Sequence, residues 1–244
     1  MPPTPPDRDE NDEGRLTARP GTPARVDRSG LRRLGLDPRR DGLLYVPTAH
    51  SPARPAPLVL MLHGAGGNGH NALGILQPLA DAYGLVLLAP DARGQTWDAI
   101  RGGFGPDVWF IDRALEHVFE RCAIDPARIA IAGFSDGASY ALSLGLPNGD
   151  LFSHVIAFSP GFAAPPGRRG RPGVFVTHGT HDTVLPIDSC SRRVVPRLTS
   201  AGYAVEYREF DGPHTVPPAL AREAVKWFAR GASAKGKPGA PREG

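Results

Sequence analysis

At 244 residues, 41% of them hydrophobic, the chain suits one domain with a sizeable core. A net charge of +3 is too small to argue for a nucleic-acid partner. No apolar run approaches the ~18 residues that a membrane-spanning helix needs, so no membrane association is expected.

Residues 1–28 begin Met1-Pro2-Pro3-Thr4-Pro5-Pro6, are rich in Pro and Arg, and hold few large apolar groups, which predicts a disordered leader. Residues 231–244 read as a disordered basic tail, leaving 29–230 as the folded domain. The start has neither a basic n-region nor an apolar h-region, so no secretory signal is expected and the expected location is the cytoplasm. Cys122 and Cys190, the only cysteines, are expected to stay reduced.

Within the domain, strand and helix signals alternate. Segments 31–36 and 42–46 read as an opening hairpin across Asp37-Pro38-Arg39-Arg40. Apolar runs at 58–62, 86–89, 129–132, 155–158 and 174–177 and the alternating segment 205–210 read as the remaining strands, and helices are expected near 71–83, 107–121, 136–145, 188–201 and 217–229. Alternation of this kind predicts an α/β fold, a mostly parallel sheet covered on both faces.

The strand signal at 58–62 runs into His63-Gly64-Ala65-Gly66-Gly67-Asn68-Gly69. Four glycines in seven residues let backbone line a site. A phosphate loop is excluded, because neither G-x-x-x-x-G-K-[ST] nor a well-placed G-x-G-x-x-G with an acidic partner is present. The signal at 129–132 runs into Gly133-Phe134-Ser135-Asp136-Gly137 and then into small residues able to continue as a helix. Gly-x-Ser-x-Gly in strand–turn–helix context is the pattern of a nucleophile elbow, where a strained turn exposes the serine hydroxyl. The strand at 174–177 ends in His178-Gly179-Thr180-His181-Asp182, and the strand at 205–210 breaks at Asp211-Gly212-Pro213 to present His214.

Ser135, Asp182 and His214 therefore follow one another as nucleophile, acid and base, each past a predicted strand. A serine hydroxyl needs a base whose pKa lies near the working pH, and the base needs a carboxylate to fix its tautomer. His181 precedes the acid, which makes His214 the better base. The N–H groups of Ala65 and Asp136 are the expected oxyanion donors.

On these motifs the chain resembles the small bacterial esterases of the α/β-hydrolase superfamily. The nearest branches are the phospholipase/carboxylesterase group and the polyhydroxybutyrate-depolymerase-like or feruloyl-esterase-like group, and the resemblance spans roughly residues 31–230. It implies an α/β-hydrolase fold, a serine esterase acting on a small-molecule ester, and no metal or organic cofactor. Cleavage of thioesters or peptide bonds on the same triad is the alternative, followed by a hydrolase-fold ligand binder without turnover.

The segment 159–172 is Gly/Pro-rich without helical periodicity, which leaves no room for a large lid domain. Short or small soluble esters are the substrates this implies. Trp97, Leu185 and Gly66 are the candidates for substrate contact, although a core role for Trp97 or Leu185 is equally open. Phe134 is expected beneath the elbow, His63 is expected to shape the oxyanion loop, and His178 reads as a turn or core histidine. Arg168, Arg169 and Arg171 read as solvated surface, with anion steering as the sharper option. The other histidines show no shared metal spacing.

Overall fold

The computed structural model describes residues 14–25 and 28–230. Eight strands form one sheet: β1 (Gly30–Arg33), β2 (Gly42–Val46), β3 (Ala56–Leu62), β4 (Val86–Pro90), β5 (Ile124–Phe134), β6 (His154–Phe158), β7 (Gly173–Gly179) and β8 (Val205–Phe210). Their spatial order is β1-β2-β4-β3-β5-β6-β7-β8. β1 pairs antiparallel with β2 and β2 antiparallel with β4, and every other pairing is parallel. Five α-helices accompany them: α1 (Gly69–Tyr83), α2 (Pro106–Phe119), α3 (Asp136–Gly145), α4 (Ser191–Ser200) and α5 (Pro218–Arg230). This is the α/β-hydrolase fold.

Alternation along the central strands explains the layering. Successive side chains face opposite sides, so Leu58, Leu60 and Leu62 meet α2 and α3, while Val59 and Met61 meet α1 and α5. Both faces of β3 are sealed, and all seven of its residues are buried. A strand read as continuously apolar is the expected mark of a parallel sheet covered on both sides.

The opening hairpin forms, but β1 stops at Arg33 rather than continuing to residue 36. Asp41 causes the stop: its carboxylate accepts the N–H groups of Gly35 (2.8 Å) and Leu36 (2.9 Å), diverting them from strand pairing. α4 starts at Ser191 rather than 188, because residues 186–190 close turns through Ser189 N–H to Pro186 O and Cys190 N–H to Ile187 O. The link from β6 to β7 holds no helix, so no large lid covers this end of the sheet.

The leader needs correction where it is described. Leu16 and Ala18 are buried in the core. The Leu16 N–H donates to Asn148 Oδ1 at 2.9 Å, and the Thr17 and Ala18 N–H groups donate to Asp112 Oδ1 at 2.7 and 2.8 Å. Arg15 and Arg19 both pair with Asp150. Residues 14–19 thus belong to the fold, because one leucine and a row of backbone donors find partners some hundred residues away. Of the rest of the expected leader, residues 1–13 and 26–27 lie outside the described residues, as does the whole of the expected tail.

Candidate active site

Ser135 sits between β5 and α3 with φ 58° and ψ −122°, a backbone that a non-glycine residue rarely adopts. Two neighbours make it possible. A Cβ on Gly133 would stand 2.1 Å from Gly137 O, and one on Gly137 would stand 2.3 Å from Leu62 O. Only glycine allows strand, helix and β3 to meet this closely. The turn keeps the Ser135 residue 8% exposed at the carboxyl end of the sheet.

His214 reaches this hydroxyl from the loop after β8. Its Nε2 lies 2.9 Å from Ser135 Oγ, and its Nδ1 lies 2.5 Å from Asp182 Oδ2. The loop comes close because Gly179 has no side chain: a Cβ there would stand 2.3 Å from Gly212 O. The other oxygen of Asp182 accepts the N–H groups of Val184 (2.9 Å) and Leu185 (2.8 Å). Burial alone would raise the Asp182 carboxyl, but the Leu185 N–H, His214 and the Val184 N–H hold it below its ordinary value. The carboxylate therefore stays ionised and fixed in orientation beside the imidazole.

Across the cleft, the loop after β3 presses on the elbow. A Cβ on Gly64 would stand 3.3 Å from Ser135 Cβ. Within this loop the Gly66 N–H donates to Gln95 O and the Gly67 N–H to Gly64 O, while the Ala65 N–H is in no such backbone pair among the described residues. Gly66 is left-handed at φ 69°, and its donor is already committed to Gln95. It shapes the turn and offers no N–H to a substrate. Asp136 opens α3, so its N–H has no partner within the helix. Its carboxylate is held by the Thr96 hydroxyl at 2.6 Å.

His63 locks this loop as expected. Its Nε2 accepts the Ala92 N–H at 2.9 Å, so the proton sits on Nδ1 and is donated to Gly64 O at 2.7 Å. Burial lowers its pKa, consistent with a neutral ring. Trp97, a candidate for substrate contact with a core role equally open, is fully buried. Its indole N–H donates to His63 O at 2.9 Å, and its ring stacks on Tyr140 at 5.1 Å. The aromatic body fills the core beneath the loop, and the one polar atom holds the loop's first carbonyl. Leu185 is half-buried beside the acid.

Phe134 departs from its expected place beneath the elbow. Its ring lies against His214, with centroids 4.7 Å apart, and is half-buried at the site itself. Adjacency to the serine was the only sequence signal, and it does not distinguish the two sides of a strand. His181 points away and pairs with Asp211 at 3.0 Å, while Asp188 pairs with Arg192. Among the described residues, no group of three His, Cys, Asp or Glu side chains is arranged to hold a metal. Cys122 and Cys190 are both buried and share no disulfide with each other, and no helix among the described residues is long and apolar enough to cross a membrane.

A second Ser–His pair meets the same carboxylate from behind. Ser191 Oγ lies 2.6 Å from His178 Nδ1, and His178 Nε2 lies 3.2 Å from Asp182 Oδ2 and 2.8 Å from Leu185 O. Because Nε2 faces two acceptors, the ring proton sits there and Nδ1 accepts from the Ser191 hydroxyl. Burial lowers the His178 pKa, and both residues have zero exposure.

Residues 109–227 match the family model described as Phospholipase/Carboxylesterase. Feruloyl esterase C of Emericella nidulans is 29% identical over 160 residues, which are 61% of this chain and 57% of that protein. A putative esterase, NocK, of Nocardia uniformis subsp. tsuyamanensis is 28% identical over 195 residues, covering 72% and 50% of the two chains. The chain thus spans about half the length of these curated relatives. Among solved structures, a thermophilic esterase from Thermogutta terrifontis superposes with a TM-score of 0.64 at 19% identity, over 93% of this chain and all of that one.

Proposed function

We propose that this chain, an α/β-hydrolase whose sequence relatives are esterases and carboxylesterases, is a carboxylesterase acting through Ser135, His214 and Asp182. One observation carries the reading: a strained, partly exposed serine lies 2.9 Å from an imidazole whose far nitrogen meets an ionised carboxylate. Ser135 Oγ attacks the ester carbonyl while His214 takes its proton. The tetrahedral oxyanion is held by the N–H groups of Ala65 and Asp136, each such donor being worth roughly 3–4 kcal/mol in the transition state. His214 then protonates the leaving alcohol, and water repeats the sequence on the acyl-enzyme to release the acid. Asp182 orients the imidazole and stabilises its cationic form.

The helix-free link from β6 to β7 supports small, soluble esters, since without a lid a long acyl chain stays in water along much of its length. Each methylene contributes ~0.8 kcal/mol only where it is buried. A cytoplasmic site of action belongs to the same proposal. Two cysteines that are not bridged to each other are compatible with a reducing compartment, and cell fractionation tests it.

The test of the activity is a 4-nitrophenyl ester series from acetate to palmitate. The reading expects kcat/KM to peak at about two to six acyl carbons, with no rise in rate above the substrate's solubility limit. A long-chain maximum would refute the size preference, and no turnover of any ester would refute the activity.

A further inference from the structure

His214 is carried by a loop, and its two hydrogen bonds leave one motion free. Nδ1 meets Asp182 Oδ2 at 2.5 Å and Nε2 meets Ser135 Oγ at 2.9 Å. Both bonds are made at the rim of the ring, so the imidazole can still rock about the line that joins its partners. Phe134 closes that freedom. It is the last residue of β5 and pairs with Phe158 of β6, so its backbone belongs to the sheet. Its ring centroid lies 4.7 Å from that of His214, with the planes 34° apart. Two rings this near and this little tilted overlap by their faces. The same side chain also reaches the loop after β3: a Cβ on Gly64 would stand 3.6 Å from Phe134 Cδ1. A half-buried aromatic anchored on the sheet therefore spans from that loop to the base and covers one imidazole face.

The contact carries charge as well as shape. The face of a benzene ring is negative and attracts a cation within about 6 Å of its centroid. His214 is neutral before Ser135 attacks and becomes an imidazolium as it takes the hydroxyl proton. An interaction that strengthens only as that charge forms lowers the barrier rather than tightening substrate binding. The titratable groups that face His214 among the described residues are Asp182 at Nδ1 and, beyond that carboxylate, His178, whose charge would oppose one on His214. Asp211, on the base's own loop, is turned to His181.

We propose that Phe134 is a positioning residue for the base: its ring fixes the plane of His214, and its negative face favours the imidazolium that forms when Ser135 gives up its proton. This rests on the esterase reading above.

Fluorinated phenylalanines at position 134 separate shape from charge. The 4-fluoro, 3,5-difluoro and 3,4,5-trifluoro side chains nearly keep the ring's size and progressively remove the negative potential of its face. On a short-chain 4-nitrophenyl ester, kcat should fall in that order, by about two- to fivefold with the trifluoro ring. Losing a stabiliser of the cation makes protonation harder, so the acid limb of the kcat/KM profile should move to lower pH, by about half a unit. Phe134→Leu, which removes the face and frees the imidazole plane, should lower kcat further. The His214 titration, followed by imidazole NMR signals across the same variants, reads the contact without turnover. Flat rates and an unmoved titration across the fluorinated series, or movement to higher pH, would overturn the proposal and leave the triad intact. A native protein that cleaves no ester would refute the esterase reading, while an ordered NMR shift would still uphold the effect of the ring on the imidazole.

Discussion

Two Ser–His pairs converge on Asp182, and they differ in every property that matters for attack. Ser135 is 8% exposed on a strained turn facing the loop that carries Ala65, whereas Ser191 is fully enclosed at the start of α4. His214 turns Nε2 to its serine and Nδ1 to the carboxylate, while His178 accepts its serine's proton on Nδ1 and spends Nε2 on Leu185 O and Asp182. The inner pair is a hydrogen-bonded strut. It places Asp182 and the Leu185 segment so that the outer pair finds a carboxylate in a fixed position. Residue types at hydrogen-bond distance do not make a nucleophile; an open face, a carbonyl-sized space and oxyanion donors are also required.

The sharpest way to break this comparison is to remove each serine in turn. Ser135→Ala should lower kcat by ~10⁴-fold or more, since loss of one triad member removes the function of the set. Ser191→Ala should leave kcat within a few-fold and instead destabilise the fold by ~1–3 kcal/mol, because Nδ1 of His178 is left buried without a donor. Ester kinetics and denaturant unfolding on both variants check this, and a kcat collapse in Ser191→Ala would reverse the roles.

Asp182→Asn should act on both pairs at once. The amide presents a donor where His214 needs an acceptor, so kcat should fall by up to ~10⁴ through a wrong imidazole tautomer. Unfolding should also shift to lower denaturant, as the Val184 and Leu185 N–H groups lose a charged acceptor. Loss of activity with unchanged stability would mean that the inner strut does not depend on the carboxylate.

A smaller effect separates the histidines by pH. Burial holds the folded His178 and His63 pKa values below 6.5, so the unfolded chain takes up protons first as pH falls. Their neutral-state stability is present above about 6.5 and is lost on acidification through that value. Asp107 works in the opposite direction between 3.8 and about 6, where burial keeps it protonated in the fold and stability declines as pH rises. The His178 contribution is therefore read as the difference in pH slope between the native chain and His178→Gln. Imidazole signals followed by NMR should show His178 titrating below the ordinary range, and protonation at or above 6.5 would contradict the strut.

Much of this was legible in the sequence wherever a backbone constraint admits few residues. Gly133 and Gly137 are readable because a Cβ at either collides with backbone, and strand alternation located the ends where Ser135, Asp182 and His214 emerge. Trp97 was ambiguous because an aromatic after a strand fits pocket and core equally well, and its bond to His63 O decides only in three dimensions. The docking of residues 14–19 was hidden because Leu16 stands alone among polar residues, with partners at Asp112 and Asn148.

The central claim is that Ser135 is the activated serine of this molecule. Treating the native protein with a fluorophosphonate and mapping the adduct by peptide mass spectrometry tests it directly. The account predicts rapid stoichiometric labelling at Ser135, abolished in His214→Ala and retained in Ser191→Ala. Labelling at Ser191, or an unlabelled Ser135 in folded protein, would contradict it.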